Sequence, residues 1–364
     1  MLIDTSVAAR TGRSSTQFHE FLRRIPKTEL HFHLLGAVRP QTVIELAIKN
    51  VVELPTYDAD TLYQTSDFEQ SLAVLRALAY CVTDEADFSR IAYEALEDSV
   101  TRGNTRHVEM FFNPTVFQAL GVSYEQMIDG LTDGIERARE RLGVTSLVIP
   151  SIDREKPPRL ALQMVKDAIR YPSRYVAGIG MDFAEGKGLP GTFEPAYRLA
   201  REHGLKRTAH VCESNQPLWA APPHNVRVCV DELKCDRLDH GYNILADAET
   251  VRFARERGVT FCTCVPTAVP AFRKRRALTI SAMREAGLRL TINTDDPWLY
   301  GCDLADAWVQ VFDMLNWGSD VAREFMLSGI EACWADDAEK RRMQAEFDVE
   351  FQALAAELLL DERA

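Results

Sequence analysis

Thr28-Glu29-Leu30-His31-Phe32-His33-Leu34 is the stretch from which the fold can be read. It reads as a short strand, and in a strand residues i and i+2 face the same side, so His31 and His33 converge on one point. Neutral imidazoles and carboxylates are the ligands a catalytic zinc takes, with one coordination position left for water. A histidine in an apolar strand is also a common hydrogen-bonded core residue, so the pair needs support from the rest of the chain.

Working outward, short apolar or β-branched runs recur, each followed by a helical pattern. The candidate strands are Lys27–Leu34, Arg106–Phe112, Thr145–Ile152, Tyr175–Phe183, Lys206–Glu213, Arg237–Tyr242, Val259–Val265 and Leu288–Asp295. Amphipathic stretches such as Arg159–Tyr171, Glu194–His203, Ala246–Arg257 and Ile280–Ala286 lie between the later ones. Strand–helix alternation predicts a parallel sheet, and eight such units predict a closed α/β barrel, the TIM-type (β/α)8 architecture. The gap after the first strand is the longest. Phe68–Val82 and Phe88–Val100 within it read as helices, a helical insertion over about residues 50–105 that covers the barrel mouth. The expected organisation is an N-terminal extension over residues 1–25 and one barrel domain over 26–364, with a C-terminal helical extension.

Barrel enzymes carry their chemistry at the C-terminal ends of the strands. His33, His210, Glu213, His240 and the Asp295-Asp296 doublet all fall on that rim. His19, His107, His203 and His224 do not, and are read as structural.

Composition sets bounds. The 364 residues exceed the roughly 250 of a simple barrel, which leaves room for the insertion and extensions. A net charge of −12 argues against nucleic-acid or anionic-membrane partners. The eight cysteines form no disulfide framework; Cys229, Cys262 and Cys264 sit in apolar runs suited to reduced buried thiols. The N-terminus is polar, without the apolar core of a signal peptide, and the expected location is the cytoplasm.

Six motifs in order resemble the adenosine deaminase family of the amidohydrolase superfamily. They are Pro26-Lys27-Thr28-Glu29-Leu30-His31-Phe32-His33-Leu34, Arg90-Ile91-Ala92-Tyr93-Glu94, Val108-Glu109-Met110-Phe111-Phe112-Asn113-Pro114, His210-Val211-Cys212-Glu213, Arg237-Leu238-Asp239-His240-Gly241 and Thr291-Ile292-Asn293-Thr294-Asp295-Asp296-Pro297. The resemblance implies one zinc ion held by His31, His33, His210 and Asp295, and hydrolytic deamination of a purine by a water whose pKa the zinc lowers. It implies that His240 orients or deprotonates that water, and that Glu213, kept protonated, donates to the ring nitrogen beside the attacked carbon. Asp295 is then both ligand and catalytic group, His33 both ligand and substrate neighbour, and Asp296 a hydrogen-bond partner of the imidazole side of the purine. The fourth strand ends Met181-Asp182-Phe183-Ala184-Glu185, without the lysine that bridges two metals in many amidohydrolases. The ligand set itself tolerates several divalent metals.

On a regular strand His210 and Glu213, three residues apart, face opposite ways, so a turn is expected at Cys212-Glu213. Three departures from the family pattern bear on the substrate. Leu35 stands where adenosine-specific members place an acidic residue for the ribose 5′ hydroxyl. Glu185 stands where they place glycine; it either accepts a hydrogen bond from the N–H that only a free base carries or faces solvent. After the seventh strand comes Arg273-Lys274-Arg275-Arg276, either a solvated face or a clamp for an anionic group. The readings left open are adenosine or an adenosine-like nucleoside, free adenine, a 5′-altered nucleoside of the aminodeoxyfutalosine type, another amino-heterocycle, and a catalytically dead binding module. Ala338–Leu360 reads as an amphipathic helix through Phe347, Phe351, Leu354 and Leu358, packing on the barrel or forming a homo-oligomer contact.

Overall fold

Parallel strands joined by helices bury both faces only when layered or closed, and a computed structural model of the protein has the chain closing them. The structure describes residues 15–65, 68–213, 217–267 and 270–359. Residues 1–14 of the N-terminal extension, 268–269 after the seventh predicted strand, and Leu360 at the end of the predicted C-terminal helix lie outside the described residues.

The strands are β1 (Lys27–His33), β2 (Thr105–Phe112), β3 (Thr145–Asp153), β4 (Gly178–Asp182), β5 (Lys206–Arg207), β6 (His210–Val211), β7 (Leu238–His240), β8 (Thr260–Cys264) and β9 (Arg289–Asn293). All neighbours pair in parallel, in the orders β1-β2-β3-β4-β5 and β6-β7-β8-β9. The fifth predicted strand, Lys206–Glu213, is not continuous but broken into β5 and β6, because the chain changes partners at its middle. Thr208 N–H still donates to Ile179 of β4 at 3.0 Å, while Ala209 C=O already accepts from Asp239 of β7 at 3.0 Å. The seam between first and last strands closes through His33 N–H to Asp295 C=O (2.8 Å) and Asp295 N–H to His31 C=O (3.2 Å). Counting β5 and β6 as one, the result is the expected eight-unit barrel.

Below the rim, three charged or polar side chains, Arg237, Glu109 and His107, are buried together. Arg237, just before β7, lies 2.5 Å from Glu109 of β2, stacks over Trp334 at 4.2 Å, and donates to the Leu30 carbonyl at 3.0 Å. Glu109 also meets His107 at 3.1 Å, and His107 reaches Thr145 at 2.8 Å. His107 is thereby satisfied as part of the core.

The insertion supplies helices Phe68–Cys81 and Glu85–Gly103. The second is bounded by its own chemistry: Asp84 accepts the Asp87 N–H at its start, and Asn104 adopts φ +50° at its end. The C-terminal helix Asp337–Leu359 buries Met343, Phe347, Phe351 and Leu354. It packs on the N-terminal helix Ser15–Arg24, with Phe21 edge-on to Phe351 at 5.2 Å and Arg24 bonded to Glu357 at 2.7 Å.

Candidate active site

Four non-glycine residues around the rim have left-handed backbone: Phe183 (φ +63°) after β4, Cys212 (+56°) after β6, His240 (+64°) ending β7, and Asp295 (+69°) after β9. Each such residue costs roughly 1–2 kcal/mol. The expected turn at Cys212 is among them, and it brings His210 and Glu213 to one cavity.

Four groups there, His31, His210, His240 and Asp295, offer donor atoms within 4.8 Å of one another. His33 joins them closely: its Nε2 is 3.1 Å from His210 Nε2 and 3.3 Å from Asp295 Oδ1, while His31 Nε2 is 3.1 Å from the same Oδ1. Ligands at about 2.0–2.1 Å from a tetrahedral zinc stand about 3.3 Å apart. The spacing therefore fits a divalent metal held by His31, His33, His210 and Asp295. His240 lies within the same donor cluster but also faces Glu213, Nε2 to Oε1 at 3.9 Å. The field suits a cation too: burial opposes a charged His31, yet Asp295 and Asp239 raise its proton affinity to about 10.

Asp239 has a role that the sequence reading missed, although its motif was quoted. One oxygen lies 3.2 Å from His31 Nδ1, the other 3.6 Å from His210 Nδ1 and 2.7 Å from the Thr208 hydroxyl, which donates to it. It lies beside the Nδ1 atoms of both imidazoles, whose Nε2 atoms face the donor cluster. The signal was available in register, since β6 pairs with β7 at His210 and Asp239. Asp239→Asn is expected to weaken divalent-metal affinity about 10–100-fold. Competition against a chelating indicator measures this, and unchanged affinity would remove the role.

Glu213 is largely buried. Burial pushes its carboxyl up to about 7 against the opposing charge of Arg276. Asp296 is likewise raised to about 7, by burial and then by Asp295, and its Oδ1 has no hydrogen-bond donor among the described residues. Gly36 makes room for it, because a Cβ there would lie 1.9 Å from that oxygen.

Two expectations are corrected. Glu185 neither faces solvent nor lines the cavity: it is buried, accepting the Cys212 N–H at 2.7 Å and the Asn225 amide at 2.6 Å. Its carboxylate fixes the left-handed turn, and its partners are too distant in sequence to have been inferred. In the basic run, Arg273 donates to the Tyr300 carbonyl at 2.8 Å, Lys274 and Arg275 are exposed, and none of the four lines the cavity. Arg276 is buried instead, stacked on Tyr242 at 4.9 Å and 3.8 Å from Glu213. His19, His203 and His224 also lie away from the cavity.

The cavity encloses about 930 Å³, part of it open to solvent. His33, His210, Glu213, His240, Asp295 and Asp296 line it, with Leu35, Phe112 and Val116 as apolar wall and Ser71, Leu75, Arg76 and Ala79 of the inserted helix Phe68–Cys81 also lining it.

An eight-unit barrel with imidazole and carboxylate donors gathered at its C-terminal rim defines an amidohydrolase-type hydrolase. The model of the family described as Adenosine deaminase matches residues 26–349, and the chain belongs to that family of C–N hydrolases. It is 31% identical over 334 residues to an adenine deaminase of Cupriavidus taiwanensis, covering 90% of this chain and 93% of that protein. Its fold matches an amidohydrolase from Burkholderia ambifaria solved with bound zinc (TM-score 0.87, 34% identity, 97% of each chain). It also matches adenine deaminase from Arthrobacter aurescens (TM-score 0.82, 27% identity, 89% of this chain and 98% of that one). Among the described residues, no helix is long and apolar enough to cross a membrane.

Proposed function

We propose that the protein hydrolyses the 6-amino group from an adenine ring, with one zinc ion held by His31, His33, His210 and Asp295. The observation that carries this reading is the pairing of Glu213 and His240, 3.9 Å apart at the edge of the donor cluster in one cavity. Zinc bound there would lower the pKa of a water toward neutrality. His240, desolvated so that its neutral form is favoured, is placed to orient that water and take its proton. Glu213, protonated near neutral pH, donates to the ring nitrogen next to the attacked carbon. Asp296, which lines the same cavity, would meet the imidazole side of the ring. The adenine ring is the unit recognised: the similar proteins named above include adenine deaminases, and Leu35 has no polar atom in its side chain to hold a ribose hydroxyl.

The test is ultraviolet-detected deamination by zinc-loaded protein of adenine, adenosine and 5′-substituted adenosines. Turnover of at least one is expected, and failure of all of them with zinc bound would overturn the reading. The pH dependence gives a second check. The folded-state pKa of Glu213 is raised, so the proton it must donate is present below about pH 7 and lost as pH rises through it. We expect kcat/KM to fall above about 7; a profile flat from about pH 6 to about pH 9 would exclude Glu213 as the proton donor.

A further inference from the structure

Charge is distributed unevenly along the cavity. By burial its lining is graded: His210, His240, Asp295 and Asp296 are buried, Glu213 largely so, and Leu35 and Val116 are half-buried apolar neighbours. The helix Phe68–Cys81 contributes Ser71, Leu75 and Ala79 to the lining, spaced i, i+4, i+8 on one face, with exposed Arg76 beside them at the solvent end of this gradient. Arg76 is the one lysine or arginine lining the cavity among the described residues. It is exposed, and among the described residues it has neither a hydrogen bond nor an ion pair. Other arginines close to acidic residues are paired: Arg39 with Asp98 at 2.8 Å, and Arg90 with Glu94 at 2.8 Å. The remaining acid on the wall, Asp182, is itself engaged, both oxygens accepting from Asn113 at 2.8 Å.

We propose that Arg76 binds an anionic group, a phosphate or a carboxylate, carried by the substrate on the side remote from the 6-amino group. The preferred substrate is then an anionic derivative of adenine rather than the bare base. This rests on the adenine-ring reading above and adds the substituent to it. A purine ring seated among the buried carboxylates leaves the solvent end of the cavity vacant, and the apolar side chains of Leu35 and Val116 add no competing acceptors. A guanidinium at the solvent end presents the planar fork that carboxylate and phosphate oxygens match in pairs.

The experiment compares kcat/KM for adenine and adenosine with that for 5′-AMP and 9-(2-carboxyethyl)adenine, using wild type, Arg76→Gln and Arg76→Lys. The phosphate and carboxylate compounds distinguish the two sources of charge. At least one anionic compound should be the best substrate. Arg76→Gln should raise its KM roughly 10- to 100-fold while leaving the neutral compounds unchanged, and Arg76→Lys should recover part of the loss. If adenine or adenosine outperforms both anions, or if Arg76→Gln affects neutral and anionic compounds alike, the proposal is overturned while the adenine-ring reading stands. Turnover of none of the four compounds overturns both.

Discussion

Glu213→Gln is expected to lower kcat by about 10²–10⁴-fold, the range that loss of a positioned general acid produces. Glutamine matches the shape of the protonated acid but has no proton of suitable acidity to give. The side chain is flanked by His240 and Arg276, at 3.9 and 3.8 Å, and it is not among the metal donors. The substitution should therefore leave bound zinc and folding intact. Kinetics read together with metal content per subunit decide the matter: activity within tenfold of wild type would mean that another group supplies the proton, and lost zinc would make Glu213 a structural neighbour of the metal instead.

Arg237→Met is expected to cost about 3–5 kcal/mol of stability, because it leaves the Glu109 carboxylate buried without its cation. Burial alone would raise Glu109's pKa, and the guanidinium 2.5 Å away is the first of the influences that bring it below the usual carboxylate value. Denaturant titration measures the loss. The double variant Arg237→Met, Glu109→Leu should recover most of it, since removing both charges removes the uncompensated one. A single-variant cost under about 1 kcal/mol would show the pair to be dispensable.

Much of this was legible in the sequence because it rests on short-range periodicity. The period of two that sets His31 beside His33, and the need for a turn between His210 and Glu213, are local arguments, and both recur in the structure. The strand order follows from the same logic. What was not legible depends on partners far along the chain. Glu185 looked like a substrate group because nothing near it announces Asn225 or the Cys212 amide. The fifth strand looked continuous because its change of neighbour is a property of the closed barrel. Arg276 is an intermediate case: it lies in phase with Ala277, Ile280 and Met283 on the buried side of its helix, so helical periodicity would have separated it from Lys274 and Arg275.

The closing seam has a consequence for how the protein is made. The donors come from β1, from β6 and from the second residue past β9, and the seam's two hydrogen bonds involve His31, His33 and Asp295. A nascent chain carries His31 and His33 early, then waits for almost the whole barrel to be synthesised before Asp295 arrives. Contacts so distant in sequence are the slow ones to form. Metal capture is accordingly a late event on the ribosome's timescale, and a chain stalled before residue 295 can assemble most of its strands without ever acquiring the complete binding centre.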